Sequence, residues 1–293
     1  MGRILVTGAT GQLGKVVTEE LLKRTDAANI AVLVRDPEKA AAWQAKGVKV
    51  FKGDYNDYNS LVTAFQGTDK LYFISGNDVT GRISQHENVV NAAVAAQVKH
   101  VFYTSYQHEA EPGASAVGIV AEAHLATEKL LKASGLAYTI LAHALYADVL
   151  PMFLGEKVLE SGIIFLPAGD GKAPYATRYD MGVAGAILLL GAGHENKTYN
   201  LAADTSYSFG DIAQQLSELS GKPIKYIPAS TADFTAQLTQ AGVPAEGIHI
   251  LAGFSGAIAQ GEFDFPDTTL QQLLGRKPES LKAFLKAAYA EFV

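Results

Sequence analysis

The chain of 293 residues contains no cysteine, one tryptophan and three methionines. Without cysteine it has no disulfide bond, no thiolate nucleophile and no cysteine-ligated zinc site, which suits a reducing compartment such as the cytoplasm. Positive charge is also scarce, because the 24 Lys and Arg residues are outnumbered by 30 Asp and Glu residues, which gives a formal net charge of -6. We therefore expect no nucleic-acid partner, since a DNA-binding surface needs a basic stripe against phosphate.

Long hydrophobic runs are missing as well. The most apolar later stretch, Val183 to Gly193, is shorter than the roughly 20 residues that cross a bilayer, and the N-terminus lacks the pattern of a secretory signal. We expect a cytoplasmic protein with no membrane partner. The seven histidines show no metal-binding spacing, so no metal is expected. No heptad or self-complementary stripe predicts an oligomeric state.

Short apolar runs alternate with helical segments through the first half of the chain. The predicted strands are Arg3–Thr7, Ile30–Val34, Val48–Phe51, Leu71–Ile74, Val101–Thr104 and Tyr138–Leu141. The predicted helices are Gln12–Arg24, Pro37–Ala45, Ser60–Phe65, Gln85–Ala96 and Ala121–Ala133. This alternation predicts an α/β protein with a doubly wound parallel sheet, the Rossmann fold, with helices on both faces.

The second half is less regular and reads mainly as helix after residue 229. Met152 to Leu159 looks helical, Ile163 to Leu166 extended, and Ser208 and Asp211 have the spacing of a helix N-cap. We expect residues 1–150 to form an NAD(P)-binding domain and residues 151–293 a smaller substrate-binding portion. The two are expected to pack as one compact body, with some later elements returning to the sheet.

The sharpest motif follows the first predicted strand. Gly8, Gly11 and Gly14 are spaced G-x-x-G-x-x-G, and Thr10, Gln12 and Leu13 complete the same turn. The first glycine permits a tight turn, the second lets the backbone approach a pyrophosphate, and the third lets the helix pack on the sheet. The free N–H groups of the helix favour an anion there. The alternative is a tight strand-to-helix turn without a ligand.

The second predicted strand ends in Arg35, followed by Asp36. Arg35 can form a forked contact with a 2′-phosphate, which favours NADP over NAD. Asp36 leaves NAD possible as the cofactor, although its position before Pro37 also suits a helix cap. Lys39 could add a second positive contact, and a solvated surface charge is the plain alternative for Arg35.

Three further positions follow predicted strands. Asp54 comes after the third strand, where its carboxylate could accept a hydrogen bond from the adenine amino group or form a simple Asx turn. Ser75 and Gly76 follow the fourth strand, where small residues let the backbone lie along a cofactor. Thr104 and Ser105 end the fifth strand, at the level where a ligand crosses the sheet edge.

Together these motifs resemble the NmrA-like atypical short-chain dehydrogenases, in particular their bacterial NADPH-dependent quinone oxidoreductases and triphenylmethane reductases. The resemblance covers nearly the whole chain and lies in Thr7–Gly14, Val34–Lys39, Gly53–Tyr55, Gln85–Val90, Tyr103–Ser105, Ala176–Asp180 and Gly193–Tyr199. It implies NADPH binding and hydride transfer to a quinone or similar conjugated aromatic acceptor, a small-molecule partner.

The Tyr-x-x-x-Lys pair of ordinary short-chain dehydrogenases is missing, and the subgroup is similar in carrying His-x-x-x-Glu, here His124 and Glu128. His124 could donate a proton or a hydrogen bond, or form a surface ion pair with Glu128. Family members more often carry Arg-Asn where this chain has Ala142 and His143. His143 could supply a replacing polar contact, and Tyr146 could stack on an aromatic acceptor or fill the core.

Two functions follow from this pattern. The first is an NADPH:quinone reductase in which the protein supplies cofactor position and an apolar pocket. The second is a non-catalytic NADP(H)-binding redox sensor of the NmrA type, which the missing Tyr/Lys pair and the altered Ala142–His143 loop motivate. One fold hosts many functions, so the fold alone does not separate the two.

Overall fold

The computed structural model describes residues 2–108, 115–155 and 157–290. The chain forms two units, each with its own internal contacts. The first comprises Met1–Tyr106, Ile119–His143 and Arg178–Asn200, and the second comprises Gln107–Gly118, Ala144–Thr177 and Leu201–Val293. Residues 178–200 of the later half thus belong to the first unit, and residues 107–118 of the earlier half belong to the second.

The first unit is built on a seven-stranded sheet, and its strands come from short β-branched and aromatic runs. They are β1 (Ile4–Val6), β2 (Ile30–Val34), β3 (Lys49–Lys52), β4 (Lys70–Phe73), β5 (His100–Tyr106), β6 (Ala137–His143) and β9 (Lys197–Leu201). Their order is β3-β2-β1-β4-β5-β6-β9, and the pairs from β3 to β6 are all parallel. The predicted doubly wound parallel sheet is confirmed.

Helices cover both faces of this sheet, as the wholly buried β1 and β2 require. They are α1 (Gln12–Arg24), α2 (Ala41–Gln44), α3 (Tyr58–Phe65), α4 (Arg82–Ala95), α5 (Ile119–Ala133) and α8 (Arg178–Leu190). Helix α8 packs on α1, where Gly182 lies against Val16. The buried faces of α3, α4 and α5 join β1, β4 and β5 in one apolar cluster that includes Phe65, Phe73 and Tyr103.

The second unit carries two small sheets and the remaining helices. Its strands are β7 (Ile163–Leu166), β8 (Lys172–Ala173), β10 (Tyr207–Ser208) and β11 (Lys225–Pro228). Strand β11 pairs with β7 in parallel, and β10 pairs with β8 antiparallel. The helices are α6 (Leu150–Leu154), α7 (Val158–Ser161), α9 (Phe209–Ser220), α10 (Thr231–Gln240), α11 (Ala245–Ala259), α12 (Thr269–Leu274) and α13 (Leu281–Ala288).

Most predicted elements are present, with shifts of at most three residues at their ends. The predicted helix Met152–Leu159 is instead two short helices, because Gly155 has a φ of 81° and ends α6. The predicted N-cap is confirmed as a capping box. The side chains of Ser208 and Asp211 each accept a hydrogen bond from the backbone N–H of the other residue. No helix among the described residues has the length and apolar character needed to span a membrane.

Candidate functional site

The glycine turn after β1 has the geometry that its spacing predicts. Gly8 has a φ of 56°, a left-handed conformation that favours glycine. A Cβ added at Gly14 would overlap the Gly8 carbonyl oxygen and lie 2.7 Å from the Cα of Ala9, so only glycine fits where α1 meets the turn. Gly11 caps α1 without a side-chain hydrogen bond, and Thr10, Gly11 and Gln12 are exposed. The helix therefore presents free N–H groups to the sheet edge.

A buried hydroxyl network fixes the strand ends beside this turn. The Tyr55 hydroxyl lies 2.5 Å from the Thr7 hydroxyl and 2.7 Å from the Ile74 carbonyl oxygen. The Ile74 N–H donates to the Thr7 hydroxyl oxygen at 3.0 Å. Burial raises the pKa of Tyr55, so the phenol stays protonated and keeps its hydrogen bond. This network ties β1 and β4 together where both strands end.

Arg35 and Asp36 follow β2 at the same edge, and both are exposed. The Asp36 carboxylate accepts the Glu38 N–H at 3.1 Å and caps a short 3-10 turn over Pro37–Ala40. Asp36 thus takes the capping role that was its alternative in the sequence. Asp54 forms an Asx turn, accepting the Asn56 N–H at 2.8 Å. Arg35 and Lys39 are both exposed, and their contact with a 2′-phosphate stays a prediction.

The loop after β4 is held by a buried histidine. The Gly76 N–H donates to Nε2 of His86 at 2.9 Å, and Nδ1 lies 2.7 Å from the Thr127 hydroxyl. Because Thr127 donates its own proton to the Ala123 carbonyl oxygen at 2.7 Å, the ring proton belongs on Nδ1. Burial, with the charge of Arg82, lowers the pKa of His86 to about 3. A neutral ring of fixed tautomer therefore holds the loop.

The predicted pair at the end of β5 lies inside the strand, and both side chains are buried. The Thr104 hydroxyl accepts the Ser75 N–H at 2.9 Å. Ser105 donates to Glu128 at 2.6 Å, and the other carboxylate oxygen lies 3.2 Å from the Lys132 ammonium. These hydroxyls hold neighbouring protein groups, and their contact with a cofactor stays a prediction.

His124 and Glu128 lie on one face of α5, but both are buried, with exposures of 7% and 5%. They are therefore not a solvent-exposed ion pair. Nδ1 of His124 lies 2.8 Å from the Tyr103 hydroxyl. Burial, together with Arg82 and His86, lowers the pKa of His124 to about 3. The ring is thus neutral at neutral pH and can give a hydrogen bond without carrying a stored proton.

His143 ends β6 and is 4% exposed. Burial, with the nearby charge of Arg178, lowers the pKa of His143 to about 3, so this ring is neutral too. Tyr146 lies in the second unit, where it is half-buried and forms a parallel bridge with Ala176. The roles of both residues toward an acceptor stay predictions.

The structure thus brings most of the predicted residues of the first unit to the carboxyl edge of one sheet. Tyr55, His86, Thr127 and Arg82 belong to this network without a role that the sequence motifs predict. One signal was available: Arg82, Gln85 and His86 are polar residues on the buried face of α4. Polar groups on such a face need partners, which points to a buried network. Among the described residues there is no cluster of three potential metal ligands.

Known proteins resemble the chain over its full length. The profile of the NmrA-like family matches residues 1–282. The chain belongs to the NmrA-like family. Quinone oxidoreductase 2 of Escherichia coli is 41% identical over 279 residues, which covers 95% of this chain and 96% of that protein.

Solved structures of this NmrA-like group agree with that match. The triphenylmethane reductase of Citrobacter sp. complexed with NADP(H) has a TM-score of 0.90 and 42% identity, covering 98% of this chain and 99% of its own. The NADPH-dependent quinone oxidoreductase of Escherichia coli complexed with NADPH has a TM-score of 0.90 and 39% identity, with the same coverage. The resemblance expected from the motifs is confirmed.

Proposed function

We propose that the protein is an NADPH-dependent oxidoreductase that transfers hydride to a quinone or a similar conjugated aromatic acceptor. The observation that carries this proposal is the match to a quinone oxidoreductase at 41% identity over 95% of the chain, combined with the glycine turn after β1. Gly14 in particular has no room for a side chain against Gly8 and Ala9. That tight packing sets the α1 N-terminus directly after β1, which supports this turn as the pyrophosphate site.

NADP(H) fits the groups at the sheet edge. The turn from Gly8 to Gly14 would hold the pyrophosphate, and exposed Arg35 would bind the 2′-phosphate. Asp54, Ser75, Gly76, Thr104 and Ser105 would border the rest of the cofactor. The bound cofactor supplies the hydride. The protein supplies position, because His86 and Thr104 fix the backbone N–H groups of Gly76 and Ser75.

The buried histidines favour acceptors that need little acid catalysis. His124 and His143 are neutral, with pKa values lowered to about 3 by burial. Neither stores a proton near neutral pH, so solvent would protonate a reduced acceptor. A quinone takes hydride readily and requires no proton beforehand, whereas an ordinary ketone needs a general acid. This difference supports the assignment of the acceptor class.

The decisive experiment follows reduced-nicotinamide absorbance with NADPH and NADH side by side. We expect NADPH oxidation to accelerate on adding a benzoquinone, with a lower KM for NADPH than for NADH. Binding of NADPH without turnover on any benzoquinone, azo compound or triphenylmethane dye would refute the enzyme assignment.

A redox sensor is the second candidate function. The residues that replace the Tyr/Lys pair are buried, and Glu128 is bonded to Ser105 and Lys132. A sensor would bind NADP at least as tightly as NADPH, whereas a reductase of this kind should favour the reduced form. Calorimetric titration with both forms separates these functions. For either function we propose a cytoplasmic location, which a cysteine-free chain suits.

A further inference from the structure

Two amide side chains near the start of α4 hold the turn that follows β3. The Asn88 amide donates to the Tyr55 carbonyl oxygen at 2.9 Å, and the Gln85 amide donates to the side-chain oxygen of Asn56 at 3.3 Å. Gln85 and Asn88 are three residues apart, so both lie on one face of the helix. Helix α4 therefore fixes the turn Asp54–Asn56 by two contacts that are distant in the sequence.

The turn Asp54–Asn56 is also bonded to the glycine turn. The Tyr55 hydroxyl lies 2.5 Å from the hydroxyl of Thr7, the residue immediately before Gly8. The same phenol donates to the Ile74 carbonyl oxygen at 2.7 Å. All of these groups belong to the first unit. Measured contacts thus place the turn after β3 beside the turn that would hold the pyrophosphate.

The Asp54 carboxylate is oriented through only one of its two oxygens. The backbone N–H of Asn56 donates to Oδ1 at 2.8 Å, and the side-chain amide of Asn56 donates to the same oxygen at 3.0 Å. Within the described part of the chain, Oδ2 takes part in no hydrogen bond. The Asx turn and a contact with a base are therefore compatible, because they use different oxygens.

We infer that Asn88 and Asn56 are positioning residues that hold the Asp54 carboxylate for the amino group of adenine, and so determine base specificity. Gln85 supports Asn56 from the same helix as Asn88. The inference rests on the proposed function, because it takes NADP(H) as the ligand of the glycine turn. A carboxylate accepts a hydrogen bond from the adenine amino group, whereas hypoxanthine presents a carbonyl oxygen that repels it. A carboxylate oriented before binding loses little freedom when the base arrives.

The test uses titration calorimetry of the full-length protein with NADPH and with its hypoxanthine analogue, in which a carbonyl oxygen replaces the adenine amino group. The wild type should bind NADPH at least about tenfold more tightly, the value of a hydrogen bond to a charged group. Asn88→Ala should weaken NADPH binding about three- to tenfold, the value of one neutral hydrogen bond, and the analogue by less than about twofold. In the quinone assay Asn88→Ala should raise the KM for NADPH and keep kcat within about twofold of wild type.

A matched control removes the same side chain from an exposed position of the same helix. Asn91→Ala should leave both affinities unchanged. Equal binding of the two dinucleotides by the wild type would overturn the inference. Equal weakening of both dinucleotides in Asn88→Ala would also overturn it, because a merely structural role predicts that result.

A second pair of variants keeps the inference testable if Asn88→Ala does not fold. Asn56 and Asn59 are both exposed, so alanine at either position should be tolerated. Asn56→Ala frees the Asp54 carboxylate and should lower the preference for NADPH over the analogue by about threefold or more, whereas Asn59→Ala should not. An unchanged preference in Asn56→Ala would overturn the inference. A wild type that prefers NADPH over the analogue but reduces no acceptor would instead defeat the proposed function, so the two failures are distinguishable.

Discussion

Nε2 of His86 accepts the backbone N–H of Gly76 at 2.9 Å, while Nδ1 of the same ring meets the Thr127 hydroxyl at 2.7 Å. One neutral ring therefore links the loop after β4, helix α4 and helix α5. Because α4 and α5 both begin at the carboxyl edge of the sheet, this one ring fixes the loop after β4 at that edge. Asparagine or glutamine at position 86 has no rigid ring and could not make both contacts at once.

The first prediction concerns the tight packing at Gly14. Gly14→Ala should abolish NADPH binding and destabilise the fold by about 1–3 kcal/mol, because the added Cβ overlaps backbone atoms that have no room to move. Titration calorimetry and urea unfolding measure the two effects. Gly247→Ala, in α11 with its nearest neighbour at 3.6 Å, is the matched control and should leave binding intact. Normal NADPH affinity in Gly14→Ala would contradict the assigned turn.

The second prediction concerns cofactor choice. Arg35→Glu should weaken NADPH binding by roughly 10- to 100-fold, the value of a hydrogen bond to a charged group, and should spare NADH. The ratio of kcat/KM for the two cofactors reports this change. Lys46→Glu, an exposed charge reversal at the end of the α2 segment, should leave the ratio unchanged. If Arg35→Glu keeps the wild-type preference, another residue selects the phosphate.

The third prediction concerns acid stability. Burial, partly offset by Glu195 and reinforced by Lys70, lowers the pKa of His100 to about 4 from an ordinary 6.5. The pKa of His100 is lower in the folded protein than in the unfolded chain. Its contribution to the free energy of unfolding is therefore complete above pH 6.5, and this contribution is lost as the pH falls from 6.5 toward 4. Each such buried histidine costs about 1.4 kcal/mol per pH unit in that window, and His86, His124 and His143 act in the same direction.

Urea unfolding between pH 8 and pH 5 tests this prediction. The free energy of unfolding should stay level above pH 6.5 and then fall steeply. His100→Asn should have a shallower acid slope, whereas His249→Asn, on the exposed surface of α11, should retain the wild-type slope. A stability that rises on acidification would show that these rings are charged in the folded protein.

The fourth prediction concerns the amino edge of the sheet. The Lys70 ammonium donates to the carbonyl oxygens of Leu189 and Gly191, at 2.6 and 2.7 Å, and so caps the last turn of α8. Lys70→Met should lower the free energy of unfolding by about 1–3 kcal/mol, without changing kcat. Lys52→Met, exposed on β3, should change neither quantity. Thermal unfolding alongside the quinone assay checks both expectations.

The sequence is sufficient to predict the sheet and the glycine turn, because both depend on local patterns. Short apolar runs bounded by turn residues predict the strands, and the spacing of the three glycines predicts the turn at Gly14. The helix predicted over Met152–Leu159 is divided, since Gly155 adopts a positive φ of 81° that the apolar pattern does not reveal. Local pattern therefore predicts element type better than element continuity.

The polar network of the site depends on contacts that are distant in the sequence. His86 meets Thr127 41 residues later, and Tyr55 meets Thr7 48 residues earlier. No local spacing specifies such pairs, because sheet order and helix packing bring them together. The same reason hides the burial of Arg82 and the low pKa values of His124 and His143. The residue type suggests His124 as a candidate site residue, but only the fold shows that its ring is uncharged.

The return of residues 178–200 to the first unit has a consequence for synthesis on the ribosome. A nascent chain that has emerged only to His143 has the strands from β1 to β6 but lacks α8, which packs on α1. Gly182 and Gly185 lie against Val16 and Tyr72, so these two side chains stay uncovered by α8 until residue 190 emerges. Translation must therefore pass through 34 residues of the other unit, Ala144–Thr177, before α8 can complete the first unit.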